Sequence, residues 1–347
     1  MRSEESSAGE SQGIALVGSS LEPQPSATGR FKRKPEWLKV SLPTGETYAN
    51  LKELMRSLNL HTVCEEAHCP NVAECWGGGT ATVMLMGDVC SRHCGFCAVT
   101  PGKPGALDTL EPRNVAAAIA QLGLTYVVLT SVNRDDLEDG GAAHFAETVR
   151  RIKTLVPGIL VEVLIPDFQG REESIRLIVD SGADVIAHNV EGVRRLSSEI
   201  RDRRATFDQS LDVLRMVKRI DSERFTKTSI QLGHGETEEE VVVAMRELRA
   251  AQVDVLTLGQ YLQPSRRHLD VAEYVHPDTF KRLAEIGESM GFAYVAAGPL
   301  VRSSYRAGEF FLEAKIREKM LREEEADLNQ EAPASSHSSS SSRQPGA

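Results

Sequence analysis

The sequence has no cysteine after residue 97, no long apolar run and no surplus of positive charge. All six cysteines fall between residues 64 and 97, a clustering that favours metal or redox chemistry over a disulfide framework. No stretch approaches the roughly 18 consecutive apolar residues of a membrane-spanning helix. With 50 acidic against 40 basic side chains the net charge is −10, which argues against a polyanionic partner such as nucleic acid.

The first twenty residues lack the pattern of a targeting signal. They carry Glu4, Glu5 and Glu10, they have no cationic stretch followed by an apolar one, and they are not Arg-rich as a transit peptide is. We therefore expect a cytoplasmic protein. Residues 1–30 are mostly Ser, Gly, Glu and Pro, and residues 321–347 include a serine tract, so both ends are predicted to be disordered tails.

From about residue 80 onward, short apolar runs alternate with helical patterns. The apolar runs are "TVMLMG", "YVVLTS", "LVEVLI", "DVIAHN", "TSIQLG" and "DVLTLG". Each is followed by a polar loop and then a segment of 3.6-residue periodicity, as in "RNVAAAIAQLG". Repeated βα units imply a parallel sheet, so the pattern predicts an α/β protein with a partial (β/α)6 TIM-like barrel.

The domain boundaries follow from the same pattern. We expect the barrel to span residues 80–300, with an N-terminal extension over 31–79 and a C-terminal segment over 301–320. In such barrels the catalytic groups lie in the loops at the carboxyl ends of the strands. Those loops are "GDVCSRHCGFC", "TSVNRDD", "IPDFQG", "HNVE", "LGHGET" and "LGQYLQPSRRH".

The densest group of thiols lies in the first of these loops. Cys90, Cys94 and Cys97 have the spacing C-x3-C-x2-C, one thiol short of a closed four-ligand site. Zinc is one interpretation, with His93 as a fourth ligand, although structural zinc sites normally use paired C-x2-C elements. The other is a [4Fe–4S] cubane, in which three thiolates hold three irons and the fourth iron stays open to a substrate.

A second group of thiols precedes the barrel. Cys64, Cys69 and Cys75 have the spacing C-x4-C-x5-C, again three where a cubane needs four ligands. By itself this spacing is weak evidence, because scattered cysteines are often small buried apolar residues. Its significance depends on its position just ahead of the first group.

Together the two motifs resemble a known family. The C-x3-C-x2-C loop after the first strand of a βα barrel, with Phe96 before the last cysteine, resembles the radical S-adenosylmethionine superfamily. Within it, "LNLHTVCEEAHCPNVAECW", "LTSVNRDDL", "LTLGQYLQPSRRHL" and "GPLVRSSYRAGEFF" resemble the lipoyl synthase family, and the similarity runs from about residue 33 to 320. Other sulfur-inserting members of the superfamily, such as biotin-synthase-like enzymes, are the nearest alternative.

The resemblance implies two [4Fe–4S] clusters. The one on Cys90, Cys94 and Cys97 binds S-adenosylmethionine at its open iron and generates a 5′-deoxyadenosyl radical. The auxiliary cluster is held by the upstream cysteines and by a serine of "RSSY", which is Ser304, with Ser303 as the fallback. No catalytic residue beyond the cluster ligands is implied.

The same resemblance implies the reaction and its partners. Two sulfur atoms enter C6 and C8 of an octanoyl group on a lysine of a lipoyl carrier domain, in a dehydrogenase subunit or a glycine-cleavage protein. Two S-adenosylmethionine molecules are consumed, and the auxiliary cluster supplies the sulfur. An electron donor such as ferredoxin or flavodoxin and an iron–sulfur carrier protein are further expected partners.

Residues in three loops are candidates for contact with S-adenosylmethionine or substrate. The cofactor candidates are Ser131, Asn133, Arg134, Gly233, Gly235 and Glu236. The substrate-channel candidates, which can equally pack the barrel rim, are Gln260, Tyr261 and Gln263. Three positions depart from the family pattern: Asn133 stands where Asp is usual, Gln231 where an apolar residue is usual, and His234 where leucine is usual.

Overall fold

The computed structural model describes residues 33–39, 53, 60–62, 82–304 and 314–318, all of which belong to one unit, Lys32–Ala347. Their strands in chain order are β1 (His61–Thr62), β2 (Thr82–Leu85), β3 (Val89–Cys90), β4 (Thr100–Pro101), β5 (Tyr126–Ser131), β6 (Leu160–Leu164), β7 (Val185–Ala187), β8 (Phe225–Leu232), β9 (Val255–Gln260) and β10 (Tyr294–Gly298). Eight of them form one sheet in the order β1-β2-β5-β6-β7-β8-β9-β10, and β3 pairs separately with β4.

The helices connect successive strands of this sheet. They are α1 (Glu111–Leu122), α2 (Ala142–Leu155), α3 (Glu172–Val179), α4 (Ser197–Ile200), α5 (Phe207–Ile220), α6 (Glu238–Ala250) and α7 (Pro277–Ser289). Short 3-10 turns lie at Glu36–Leu38, Phe168–Gly170 and Arg194–Leu196, and residues 314–318 are helical. Across these described ranges, no helix combines the length and the apolar character needed to span a bilayer.

The helix ends carry the expected local signals. Helix α6 begins with a capping box, in which the Thr237 side chain accepts from the Glu240 backbone and the Glu240 carboxylate accepts from the Thr237 backbone. Helix α1 ends at Gly123, whose left-handed backbone (φ 62) stops the helix. These local signals fix where each crossover begins and ends.

The predicted fold class is confirmed. Strand β1 is antiparallel to β2, every later neighbour in the large sheet is parallel, and each of the six predicted strands is present. Within the described residues, β10 at one edge makes no ladder with β1 at the other, so the barrel is open. The predicted tails and most of the N-terminal extension lie outside the described residues.

One barrel strand has a weak sequence signal. Strand β10 reads "YVAAG", and alanine and glycine are depleted in strands, so its pattern is ambiguous. In the structure it pairs in parallel with β9 from Tyr294 to Gly298. Pairing with β9 therefore overrides the weak local preference.

Alternate side chains of each strand separate an outer and an inner core. Val127 and Leu129 of β5 pack outward with residues of α1 and α2 such as Ile119. Val128 points to the other face and clusters with Leu160, Val185, Val255 and the helical residue Ile316. The amino-terminal end of the barrel interior is thus filled by apolar side chains.

A buried ion pair completes this lower layer. Lys227 Nζ lies 2.8 and 3.0 Å from the two carboxylate oxygens of Glu162, and Tyr126 Oη donates to the same carboxylate at 2.7 Å. All three side chains are buried, and both charges have matched partners. Because the amino-terminal end of the barrel interior is filled, the active site must lie at the carboxyl ends of the strands.

Candidate active site

The loop that carries Cys90, Cys94 and Cys97 follows β2 and is held by backbone hydrogen bonds to sulfur. Cys90 Sγ accepts from Arg92 N and Asn133 N, each at 3.4 Å. Cys94 Sγ accepts from Asp202 N at 3.3 Å. Such N–H···S contacts are common around iron–sulfur ligands, where they tune the reduction potential.

The three thiols lie near one another in a half-buried setting. Each interacts electrostatically with the others, and burial raises the pKa of Cys94 and raises that of Cys97 to about 12. A bound metal cation reverses this preference by deprotonating a coordinating thiol. Among the described residues no three His, Cys, Asp or Glu side chains are placed to hold a single ion, but a cubane binds each thiolate through a separate iron.

Arg92, inside the cysteine motif, anchors the loop to two other strands. Its guanidinium donates to Asp135 at 2.8 and 2.9 Å and to Asp167 at 2.6 and 2.7 Å. Asp135 follows β5 and Asp167 follows β6, and the Arg92 pairing holds the pKa of both carboxyls below its ordinary value despite their burial. Two bidentate, charge-assisted ion pairs therefore hold the cysteine loop against the neighbouring loops.

Two more loops enclose the cysteine loop from opposite sides. Gly95 N donates to Ile200 O at 2.9 Å, and Gly95 O accepts from Leu269 N at 3.0 Å. An added Cβ at Gly95 would lie 2.8 Å from the Leu269 side chain, so glycine permits this close packing. Beyond it, His268 Nε2 lies 3.0 Å from Cys97 O. The loop geometry thus depends on contacts from residues more than a hundred positions away.

The predicted cofactor residues after β5 have different environments. Ser131 Oγ is buried and has no hydrogen-bond partner within the described part of the chain. The Asn133 backbone contacts Cys90 and Ser91, whereas its side chain makes no hydrogen bond to a described residue. Arg134 is buried and binds Asp136 with both Nε and Nη2, so its charge is already paired.

The second predicted cofactor element, after β8, is held by its own glutamate. The Glu236 carboxylate accepts from Gly233 N at 2.5 Å and from His234 N at 3.0 Å. Gly233 has φ 104, and a Cβ there would lie 2.2 Å from Gln260 Nε2, so this glycine is required by packing within the protein. Gly235 has φ 103, which also favours glycine. Contact of these residues with S-adenosylmethionine stays a prediction.

His234 and Gln231, two of the departures from the family pattern, have defined partners. The His234 ring stacks on Tyr261 with centroids 4.2 Å apart and meets Phe96 edge-on at 6.4 Å. Burial lowers the pKa of His234 to about 4, so the ring is neutral, and its Nε2 is unpaired among the described residues. Gln231 Nε2 donates to Glu191 at 2.7 Å.

Packing accounts for the predicted substrate-channel residues. Gln260 is buried and donates to three backbone oxygens while accepting from Val275 N. Tyr261 Oη donates to Leu269 O at 2.7 Å, and burial raises its pKa. Gln263 bonds within its own loop, to His268 O and Asp270. The rim-packing interpretation fits all three.

Arg201 is a site residue that sequence reasoning missed. It is half-buried beside Cys94, Glu191 and Asp167, and burial of its guanidinium lowers its pKa. One nitrogen donates to Ser210 Oγ at 2.7 Å, but Nε has no partner in the described ranges and no carboxylate forms an ion pair with it there. No sequence signal marks this residue, because Arg201 lies in the basic run "RDRR", which is typical of solvent-exposed loops.

The predicted fourth ligand of the auxiliary cluster lies just beyond β10. Ser303 and Ser304 are half-buried in a turn. Two residues before Ser303, Val301 packs so closely on β9 that a Cβ at Gly259 would lie 2.1 Å from Val301 O. Since Gly259 is on the strand end that faces the site, this contact fixes where the serines leave the barrel. Cys64, Cys69 and Cys75 lie outside the described residues.

Comparisons with known proteins agree with this geometry. The family model described as the Radical SAM superfamily matches residues 84–248, and that of the N-terminal domain of lipoyl synthase matches residues 21–69. The chain is 59% identical over 285 residues to lipoyl synthase of Anaeromyxobacter dehalogenans, covering 82% of this chain and 97% of that protein. It is 55% identical over 301 residues to the mitochondrial lipoyl synthase of Homo sapiens, covering 85% and 81%.

A solved structure supports the fold. The FeFe-hydrogenase maturase HydG from Carboxydothermus hydrogenoformans superposes with a TM-score of 0.50 at 11% identity, covering 78% of this chain and 70% of that one. At such low identity the likeness concerns the fold alone.

An open parallel barrel with a three-cysteine loop after its first barrel strand defines a radical SAM enzyme. More narrowly, the chain belongs to the lipoyl synthase family, and it is an enzyme that inserts sulfur. The family implies iron–sulfur chemistry, S-adenosylmethionine and a lipoyl carrier protein as the object of the reaction. The zinc-binding interpretation has no support in these comparisons.

Proposed function

We propose that the enzyme inserts sulfur at C6 and C8 of an octanoyl group attached to a lysine of a lipoyl carrier domain. The observation that carries the proposal is the pair of cysteine motifs within a chain that matches lipoyl synthases over more than four-fifths of its length. Two [4Fe–4S] clusters are part of the proposal. One uses Cys90, Cys94 and Cys97, and the other uses the upstream cysteines with Ser304.

The described residues fit the first cluster and its S-adenosylmethionine. Three close thiols, two with backbone N–H donors, form a donor set for three irons. The unpaired guanidinium nitrogen of Arg201 and the unpaired hydroxyl of Ser131 are buried polar groups that need a partner. A zwitterionic amino acid moiety carries groups that satisfy both, and Arg201 would hold its carboxylate.

When bound, the clusters and S-adenosylmethionine supply a carbon-centred radical that cleaves unactivated C–H bonds, together with sulfide for the new C–S bonds. The protein's own residues hold the cysteine loop in place and pack against it. Arg92 with its two aspartates fixes the cysteine loop, and His234, which stacks on Tyr261, meets Phe96 of that loop edge-on. The first arrangement orients the loop that carries the thiols, and the second packs aromatic rings against it.

Ser304 is proposed as the labile ligand of the auxiliary cluster. A hydroxyl is a weaker ligand for iron than a thiolate, so the cluster is most easily opened at this corner. The close packing of Val301 on Gly259 supports a fixed path for the serine segment. The neighbouring Ser303 provides a matched control, because it has the same chemistry one residue away.

The partners and the compartment are also proposals. The carrier is an octanoylated domain of a dehydrogenase subunit or of a glycine-cleavage protein. The electron donor is a ferredoxin or a flavodoxin, and an iron–sulfur carrier protein rebuilds the auxiliary cluster. The cytoplasm is the proposed location, which cell fractionation tests.

The proposed reaction is tested by anaerobic incubation of reconstituted enzyme with dithionite, S-adenosylmethionine and an octanoylated lipoyl domain. Mass spectrometry should show the carrier heavier by two sulfur atoms, and a carrier that never gains sulfur would contradict the proposal. Cys94→Ala should abolish 5′-deoxyadenosine. Cys69→Ala and Ser304→Ala should still form it without full sulfur insertion, whereas Ser303→Ala should behave as wild type.

A further inference from the structure

Four arginines border the cysteine loop on two sides. Arg203 and Arg204 follow α4, in the segment whose Ile200 O accepts from Gly95 N. Arg266 and Arg267 precede Leu269, whose N–H donates to Gly95 O. All four side chains are exposed, and we call this set the arginine rim. One glycine of the cysteine loop is thus hydrogen-bonded to both of the segments that carry the rim.

The residues next to the rim contact the cysteine loop directly. Asp202 N donates to Cys94 Sγ at 3.3 Å, so Arg203 is one residue from a hydrogen bond to a predicted ligand. Arg204 donates to Ser91 O at 2.8 Å. On the other side, His268 Nε2 contacts Cys97 O and directly follows Arg267. Any protein that lies on the rim therefore approaches the thiols more closely than one bound on the outer helices.

The charge of the rim contrasts with that of the whole chain. The protein carries ten more acidic than basic side chains, yet these two segments contribute four arginines. The nearby acids include Asp202 and Asp135, which both pair with Arg204, and Asp270. Arg203 and Arg267 have no ion-pair partner among the described residues, so their charge faces solvent. A local cationic surface on an acidic protein attracts an acidic partner.

We propose that the arginine rim is the docking surface for an acidic one-electron carrier protein that reduces the cluster on Cys90, Cys94 and Cys97. The inference rests on the proposed cluster at those cysteines. In the step itself, the reduced carrier loses one electron and the cluster gains it, with no bond formed or broken. The octanoylated carrier domain has a different requirement, because its acyl chain must enter the barrel interior, whereas an electron needs only a short path to a ligand sulfur.

The test uses reconstituted holoenzyme and reduced flavodoxin as the probe. Stopped-flow absorbance follows cluster reduction in wild type and in the double variant Arg203→Glu/Arg267→Glu. The second-order rate constant should fall by about tenfold or more at low salt, and its dependence on salt should weaken, because steering between opposite charges is lost. Arg203→Lys/Arg267→Lys should keep the wild-type rate.

Two controls separate docking from damage to the cluster. Reduction by dithionite should be unchanged in the Glu double variant, since this small reductant needs no docking surface. Arg246→Glu makes one such charge reversal on α6, at an exposed arginine without an ion-pair partner in the described part of the chain. It should leave the flavodoxin rate within about twofold, whereas either rim arginine reversed alone should lower that rate by more.

Three outcomes would overturn the proposal. The first is a flavodoxin rate that is unchanged in the Glu double variant. The second is an equal loss of the reduction rate with dithionite, which would show that these arginines stabilise the cluster itself. The third is an unchanged flavodoxin rate with a raised KM for the octanoylated domain, which would assign the rim to that domain. Sulfur insertion driven by dithionite reports separately on the proposed function.

Discussion

Arg92 Nη1 and Asp167 Oδ2 lie 2.6 Å apart in a buried ion pair that joins the cysteine loop to the end of β6. The side chains are 3% and 1% exposed, so neither charge can turn to water if its partner is removed. The contact spans 75 positions of sequence. A residue within the metal-binding motif is therefore fixed by a strand that carries no ligand of its own.

Replacing Asp167 with Asn should destabilise the protein by about 3–5 kcal/mol, because removal of one partner leaves the Arg92 charge buried and less well compensated. Urea unfolding under anaerobic conditions measures the loss, and iron analysis should show poorer retention of the first cluster. Glu147→Gln makes the same chemical change in an exposed pair with Arg151 and should cost at most about 1 kcal/mol. Equal effects of the two substitutions would refute the structural role of the pair.

The ion pair between Lys227 and Glu162 gives a second stability prediction. Lys227→Met should cost about 3–5 kcal/mol, since the Glu162 carboxylate is then buried with only Tyr126 as a donor. Adding Glu162→Gln removes the stranded charge, so the double variant should recover at least half of the loss. Urea midpoints of the single and double variants test this. A double variant less stable than Lys227→Met alone would contradict it.

His188 should make stability depend on pH. It is fully buried between Ile165 O and Ser210 Oγ, and burial lowers its pKa from 6.5 to about 4. Between those values the unfolded chain binds a proton that the folded chain does not, so stability is lost as pH falls from 6.5 toward 4. The contribution of this group is at most about 3 kcal/mol.

The substitution His188→Gln removes the titrating group and should flatten the dependence of stability on pH over that window. Urea unfolding of both proteins at several pH values between 4.5 and 7 measures the difference in slope. His276→Gln is the control, because that histidine is exposed at the start of α7. If wild type and His188→Gln lose stability in parallel, the ring titrates normally in the fold.

Gly259→Ala should disturb the serine segment without unfolding the barrel. The added Cβ would lie 2.1 Å from Val301 O, a backbone atom, so residues 301–304 must move. We expect sulfur insertion to fall by at least about tenfold while 5′-deoxyadenosine is still formed, because the auxiliary cluster loses its proposed serine ligand. Product analysis by mass spectrometry and chromatography gives both quantities.

The control for this prediction is Gly298→Ala on the adjacent strand. There the nearest atom to an added Cβ is a Val301 methyl at 3.4 Å, which can be accommodated by a small side-chain shift. It should keep most of the activity. Equal losses in the two variants would show that the effect does not come from the Val301 backbone contact.

The predictable part of this molecule consists of features that are local in sequence. The strands β5 and β6 and the helices α2 and α5 follow from the apolar period, because burial on one or both faces leaves that period in the sequence. The spacing of Cys90, Cys94 and Cys97 depends on one short loop. Strand β10, with its alanines and glycine, left too weak a pattern, and so did the two-residue strands β1, β3 and β4.

The roles of several loop residues could not be predicted in the same way. Gln260 and Tyr261 were equally compatible with a substrate channel and with rim packing until their hydrogen bonds to Leu232, Glu273 and Leu269 were known. Polar residues at a strand end look alike in sequence whether they face a ligand or the protein. The role of such a residue depends on its hydrogen-bond partner in the fold, and that partner is often distant in sequence.

The sequence by itself determined the succession of strands and helices along the chain, the three-cysteine loop and the family to which the enzyme belongs. Each of these is encoded by neighbouring residues or by a motif. Only the tertiary structure decided that Arg92 is held by Asp135 and Asp167, that Arg201 lies beside Cys94 without a salt bridge among the described residues, and that arginines border the loop on two sides. The physical reason is that these contacts form when parallel strands bring their carboxyl ends to one edge, and that placement is set by the packing of the whole barrel.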